Sequence, residues 1–63
     1  MKPARVLLAD DHTLVRAGVR KLLESMPEVE VVGEADDGRK VLALAEQLQP
    51  DLVLMDLSMT GLT

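Results

Sequence analysis

Two apolar runs in this chain end on carboxylates, and these are the residues whose type and spacing suit chemistry. Residues 6–9 lead into Asp10 and Asp11, and Leu52–Met55 leads into Asp56. An unpaired carboxylate is costly to bury, so each must lie where its apolar run leaves the protein interior. The sequence therefore predicts three carboxylates at the ends of two buried segments.

Three neighbouring carboxylates point to a cation. They cannot all stay ionised unless a cation joins them or a pKa rises. Since no set of His or Cys ligands converges on them, an all-oxygen site is expected, for Mg²⁺ or for Mn²⁺ in its place. A carboxylate beside such a cation can attack phosphorus and form an acyl phosphate.

Each acidic residue also has an ordinary structural explanation. An Asp-Asp pair such as Asp10-Asp11 is usually a loop and a helix cap, and Asp56 alone is typical of a solvated strand end. His12 is interpreted as an exposed residue at a helix start. The occurrence of both acidic groups at adjacent strand ends favours a site over these explanations.

The first helix is predicted from an apolar stripe with three- and four-residue spacing. We expect Asp11 or Thr13 to cap it, Met26-Pro27 to end it, and Gly18 to mark a close packing contact. The stripe comprises Leu14, Val15, Gly18, Val19, Leu22, Leu23 and Met26, with Arg16, Arg20, Lys21 and Glu24 facing away.

The remaining elements follow in short order. The alternation over Val29–Ala35 predicts a half-exposed edge strand, and residues 5–9 and 52 onward predict two more strands. Asp36-Asp37-Gly38 is a turn signal, and Asp37 is expected to cap a second helix over residues 39–48. The buried face of that helix is predicted to be Val41, Leu44, Ala45 and Leu48.

A β-α-β-α-β order with short loops predicts a parallel sheet with right-handed crossovers. With strand two at an edge, the spatial order is 2-1-3 and one helix covers each face. Asp10, Asp11 and Asp56 then meet at the carboxyl edge where open α/β sheets bind ligands. The apolar third strand would be an exposed edge, so further strands are expected to cover it.

The composition of the chain limits the classes of molecule that it is expected to contact. The 63 residues carry a net charge of −4 and contain no Cys and no aromatic side chain. The negative charge argues against direct contact with nucleic acid or an anionic membrane. No apolar run is long enough for a signal peptide or a spanning helix, so a cytoplasmic location is expected.

Three stretches resemble the receiver domain of two-component response regulators: VLLADDHTLVRAG, VEVVGEADDG and PDLVLMDLSMTG. The first resembles the subfamily that carries a C-terminal LuxR-type helix-turn-helix. The resemblance implies an α/β, flavodoxin-like (CheY-like) doubly wound sheet. Residues 1–63 would be a partial receiver domain that lacks strands four and five and the helices around them.

The resemblance also implies roles for individual residues. Asp56 would accept a phosphoryl group from a sensor histidine kinase. Asp11 and Asp56 would bind Mg²⁺ directly, Asp10 through a water, and Ser58 through its backbone carbonyl. The chain would be a signalling module and not a turnover enzyme, and DNA would be contacted only by the helix-turn-helix domain of a longer parent.

The resemblance implies a docking surface too. Helix one supplies part of the kinase-docking surface in the family, which makes His12 and Val15 candidate contacts.

One departure from the family pattern is Thr60, where receivers usually have Pro. In receivers, the Lys and the Ser or Thr that contact the phosphoryl group belong to strands four and five. Because these 63 residues lack both strands, we expect them alone to fold poorly and not to switch.

Two alternative functions remain open from the sequence. The chain could act only by docking to a kinase, as a fragment that cannot switch. Alternatively, residues 56–60 partly resemble the Asp-x-Asp-x-Thr loop of haloacid-dehalogenase-type phosphatases, although Ser58 replaces the acid/base Asp and that loop normally follows the first strand.

Overall fold

A computed structural model describes residues 2–55, and these form three strands and two helices in the predicted order. The predicted site residues Asp56 and Ser58 lie outside the described residues. Neither helix of the described part is long and apolar enough to cross a membrane. The elements are β1 (Ala4–Ala9), α1 (Thr13–Glu24), β2 (Val29–Ala35), α2 (Gly38–Leu48) and β3 (Leu52–Met55).

The three strands form one parallel sheet in the order β2-β1-β3, which confirms the predicted topology. β1 is central and supplies four consecutive buried residues, from Val6 to Ala9. The register between β1 and β2 shifts because Val6 pairs with Val31 while Leu7 pairs with Gly33. Val32 is therefore an extra residue in β2, and it is the residue that interrupts the alternating pattern of the sequence.

α2 packs on the sheet through apolar contacts, as predicted. Leu7, Ala9, Ala35 and Val41 form a buried cluster, and the side chains that pack against it are Leu44, Ala45, Val53 and Met55. The predicted buried face of α2 is thus confirmed. Burying these apolar surfaces is the main stabilising contribution on this side of the sheet.

α1 lies on the other face, because it contacts Glu34 while Leu48 of α2 approaches the neighbouring Gly33. No residue of α1 is fully buried, and the predicted stripe is confirmed only in part, because Val19 and Leu23 are half-buried while other members of the stripe are exposed. Leu14 and Leu22 are 86% and 68% exposed. The residues that are half-buried instead follow each other at three- and four-residue spacing and include two arginines predicted to face away: Arg16, Val19, Arg20 and Leu23.

Two smaller expectations for α1 are also wrong. His12 is its N-cap residue, and no side-chain hydrogen bond caps this N-terminus among the described residues, so neither Asp11 nor Thr13 has the predicted role. An added Cβ at Gly18 would meet nothing within 4 Å among residues 2–55, so the predicted close packing does not occur with any of these residues. In contrast, Asp37 caps α2 as predicted, since its Oδ1 accepts a hydrogen bond from the Lys40 amide at 2.9 Å.

Candidate phosphoryl-acceptor and metal site

The acidic pair lies at the carboxyl end of the central strand. Asp10 follows Ala9, the last residue of β1, and its amide donates to the carbonyl of Ala35 at the end of β2 (3.0 Å). On the other side of β1, Ala9 pairs with Met55, the last residue of β3. The ends of all three strands therefore meet beside Asp10, as the 2-1-3 order predicts.

The loop after β1 turns both carboxylates toward one point. The Nδ1 atom of His12 lies 2.9 Å from Asp10 Oδ1 and 2.9 Å from Asp11 Oδ1. One potential ligand atom from each of the three residues lies within 4.8 Å of the others. Carboxylate oxygens are the donor type that Mg²⁺ prefers, and here both of them contact the imidazole of His12.

The Asp10 carboxylate is held by its neighbours. Its Oδ1 accepts a hydrogen bond from the main-chain N–H of His12 at 2.8 Å. That bond, followed by the contact with the imidazole of His12, lowers the pKa of Asp10 below its ordinary value. The carboxylate is accordingly ionised at neutral pH.

An arginine on α1 fixes the main chain of the same loop. Arg16 Nη1 donates to the carbonyl oxygen of Asp10 at 2.7 Å, and Arg16 Nε donates to Glu34 Oε1 at 3.0 Å. Arg20 donates to the other oxygen of Glu34 and also to Glu24 Oε2, the latter at 3.1 Å. The sequence interpretation missed this network, and its only signal was the four-residue spacing of two arginines on one helix face.

The predicted site residues can now be placed. Asp10 and Asp11 lie together at the carboxyl edge, Asp10 half-buried and Asp11 exposed. Asp56 and Ser58 fall outside residues 2–55. His12 is exposed, as expected, but it contacts both aspartates. Val15, the second candidate docking residue, is 51% exposed.

Comparison with known protein families identifies the family of this chain. The response regulator receiver domain matches residues 6–63, which is nearly the whole chain. The chain belongs to the response regulator receiver domain family. The fold agrees, because the solved signal receiver domain of NarL from Mycobacterium tuberculosis superimposes with a TM-score of 0.93 at 44% sequence identity. The alignment covers 97% of this chain and 49% of that receiver domain.

Curated relatives of this receiver sequence are response regulators of the same subfamily. The nitrate/nitrite response regulator protein NarL of Escherichia coli is 49% identical over 61 residues, which are 97% of this chain and 28% of that protein. The transcriptional regulatory protein LiaR of Bacillus subtilis is 53% identical over 58 residues, 92% of this chain and 28% of that protein. The receiver sequence thus spans little more than a quarter of these relatives.

Proposed function

We propose that this chain is the phosphoryl-accepting part of a two-component response regulator, with Asp56 as the acceptor. The observation that carries the proposal is the register at the carboxyl edge of the sheet. Ala9 pairs with Met55, and the residues that follow them in the sequence are Asp10 and Asp56. Membership of the receiver family supports the same assignment.

The donor would be a phosphohistidine of a sensor kinase. A carboxylate oxygen of Asp56 attacks phosphorus, the bond from phosphorus to the histidine nitrogen breaks, and an acyl phosphate remains on Asp56. The histidine nitrogen keeps the electron pair of the broken bond and takes up a proton. The chain would act as an acceptor that signals through its phosphorylated state and not as a turnover enzyme.

The acidic pair would hold Mg²⁺, or Mn²⁺ in its place. Asp11 and Asp56 are proposed as direct ligands, Asp10 as a ligand through water, and the backbone carbonyl of Ser58 as a further ligand. When bound, the cation offsets negative charge on the transferring phosphoryl group. The proximity of the two carboxylates supports this proposal, since an oxygen of Asp10 and an oxygen of Asp11 each lie 2.9 Å from Nδ1 of His12.

The partners of the intact protein follow from the same proposal. The exposed start of α1, with His12 and Val15, is proposed as part of the kinase-docking surface. DNA would be contacted by a C-terminal helix-turn-helix domain of the intact protein, in line with the name of LiaR as a transcriptional regulatory protein. The net charge of −4 disfavours DNA contact by this segment itself.

The domain assignment is part of the proposal as well. Residues 1–63 would form the first part of a receiver domain whose strands four and five lie in the remaining sequence of the intact protein. This agrees with the 49% coverage of the receiver domain of Mycobacterium tuberculosis NarL. The phosphatase alternative has no comparable support, because the family that matches residues 6–63 is the receiver family.

The experiment is phosphorylation of the intact protein by a phosphorylated sensor kinase, followed by intact-mass measurement and peptide mapping. We expect one phosphoryl group on Asp56, no labelling of the Asp56→Asn variant, and no labelling when Mg²⁺ is chelated. Asp36→Asn is the matched control, since it removes an exposed aspartate that follows β2 and is not part of the acidic pair.

Unchanged labelling of Asp56→Asn, or a phosphoryl group mapped to another residue, would overturn the assignment. Kinase binding is measured in parallel, because docking does not require the nucleophile. If Asp56→Asn still binds the kinase and the wild-type protein is never labelled, the function is docking alone.

A further inference from the structure

The arginine network on α1 touches the acidic loop at one atom, the carbonyl oxygen of Asp10. Arg16 reaches it with Nη1 at 2.7 Å and reaches Glu34 with Nε at 3.0 Å. One guanidinium therefore joins the loop after β1 to the residue before Ala35 in β2. Its planar group of donors can make both bonds at once, which a lysine ammonium on a flexible chain does poorly.

The environment of Arg16 makes these bonds effective. Its side chain is only 18% exposed and that of Glu34 30% exposed, so the pair is partly shielded from solvent. The half-buried apolar side chains of α1, Val19 and Leu23, supply no polar contact with the loop. The bonds of Arg16 are therefore the main polar link between α1, the acidic loop and β2.

The neighbouring arginine provides a natural contrast. Arg20 binds the same Glu34, through its other carboxylate oxygen, and is likewise part of α1. The other described partner of the Arg20 side chain is Glu24, on its own helix, and not the acidic loop. The two arginines thus share a charge, a helix and a partner, and they differ in the contact with Asp10.

We propose that Arg16 is a positioning residue that fixes the main chain of Asp10 and so keeps the carboxylates of Asp10 and Asp11 turned toward a shared cation. The proposal deepens the proposed function, on which its metal-binding part rests. A partner that orients a metal ligand typically changes metal affinity by about tenfold or more when it is lost. Arg16 acts through the backbone of Asp10, so it is not itself a ligand.

The test compares Arg16→Lys with Arg20→Lys in the intact protein. Both variants keep the positive charge, which matters because simply removing a cation beside the site would strengthen Mg²⁺ binding and mask a loss of positioning. We expect Arg16→Lys to weaken Mg²⁺ binding by about tenfold. Arg20→Lys should change the Kd by less than about twofold, as for a group that does not orient a ligand.

A second readout does not depend on the metal. Hydrogen exchange of the Asp10 and His12 amides is measured without Mg²⁺, since both amides donate to acceptors at this edge of the sheet. Arg16→Lys should speed exchange at these two amides, and Arg20→Lys should leave it unchanged. If the wild-type protein does not bind Mg²⁺, the proposed function fails, while the exchange data still decide whether Arg16 positions the loop.

Equal Kd values and equal exchange rates in the two variants would overturn the proposal. Should Arg16→Lys fail to fold, Glu34→Gln replaces it, because this variant weakens the anchor of Arg16 in β2 without changing the arginine. Its exchange at Asp10 and His12 should then exceed that of Arg20→Lys. Exchange no faster than in Arg20→Lys would count against positioning.

Discussion

The two helices of this receiver sequence are attached to the same sheet by different means. α2 buries Gly38 and Val41 and packs on a continuous apolar cluster. α1 buries no residue and reaches β2 through Arg16 and Arg20, which share Glu34. In the part of the chain that the structure describes, α2 contributes fully buried residues, whereas α1 contributes half-buried apolar residues and two arginines that bind Glu34.

The difference bears on stability and on function. Burial of apolar surface does not depend on direction and contributes roughly 25 cal/mol per Å². An ion pair near the surface contributes about 0–1 kcal/mol, but it has a defined geometry. α2 therefore stabilises the sheet, whereas α1 places particular atoms, among them the carbonyl of Asp10. The helix that contributes less to the core is the one attached to the proposed site.

The largest expected effect comes from truncating one leucine to alanine in each region, a buried one packed on the α2 side of the sheet and an exposed one in α1. Leu7 is fully buried against the α2 side, while Leu22 of α1 is 68% exposed. We expect Leu7→Ala to cost about 2–5 kcal/mol of unfolding free energy, because it leaves a cavity. Leu22→Ala should cost less than about 0.5 kcal/mol in the 63-residue chain.

Denaturant unfolding followed by circular dichroism measures both. A loss for Leu22→Ala as large as that for Leu7→Ala would mean that α1 is held by apolar burial after all. A chain that shows no cooperative transition before mutation would instead bear out the expectation that these 63 residues fold poorly alone. The same pair of variants would then be compared in the intact protein.

Capping gives the next largest effect. The Asp37 side chain accepts from the Lys40 amide at the start of α2, whereas the start of α1 has no side-chain cap among the described residues. Asp37→Ala should lower the unfolding free energy by about 1 kcal/mol, and Asp37→Asn should restore most of it. Thr13→Ala at the start of α1 is the matched control and should change little. An equal loss for both alanine variants would contradict the capping difference.

How much the sequence could predict follows the same division. The α2 face, the β2 bounds and the 2-1-3 order were predictable because apolar periodicity and connection rules determine them. The half-burial of Arg16 and Arg20 was not, since both bind Glu34, which lies on a different element of the chain. Periodicity locates an apolar stripe and carries no information on a distant charged partner.

The candidate site likewise has features that the sequence predicts and features that it does not. The meeting of Asp10 and Asp11 with the ends of β2 and β3 follows from topology, so it was predictable. The contacts of His12 with both aspartates and of Arg16 with the Asp10 carbonyl depend on loop and side-chain conformation. No spacing rule encodes these contacts. The roles of Asp56 and Ser58 remain predictions, because both lie outside the described residues.

Two glycines sharpen the comparison further. Gly18 in α1 has no atom within 4 Å of an added Cβ, whereas at Gly33 in β2 that carbon would lie 2.8 Å from a methyl of Leu48. Gly18→Ala should raise the unfolding free energy by about 0.5–1 kcal/mol, through helix propensity alone. Gly33→Ala should give a smaller gain or none, because the methyl group of Leu48 must move to admit the new carbon and this offsets the gain in backbone entropy.

Thermal or denaturant unfolding of both alanine variants checks this. Destabilisation by Gly18→Ala would show that α1 packs closely against another segment, as the sequence pattern had indicated. A gain for Gly33→Ala as large as that for Gly18→Ala would mean that the contact between α2 and β2 can adjust at Leu48 without cost.

The smallest expected effect concerns two aspartates, Asp36 and Asp10, whose pKa values are lowered by different causes. The ammonium of Lys40, 2.7 Å from the Asp36 carboxylate, lowers the pKa of Asp36. The main-chain N–H of His12 is the first cause that lowers the pKa of Asp10. A folded-state pKa below the unfolded value stabilises the fold above the unfolded pKa, and this contribution disappears as the pH falls through the folded pKa.

Lys40→Met should return the pKa of Asp36 toward its ordinary value and leave that of Asp10 unchanged, as followed by carboxyl-carbon NMR titration. Added salt should likewise shift Asp36 more than Asp10, because it screens an exposed ion pair more than a short hydrogen bond to the main chain. Equal shifts of the two carboxyl groups would mean that side-chain charge, and not the backbone of the loop, holds Asp10 in its ionised form.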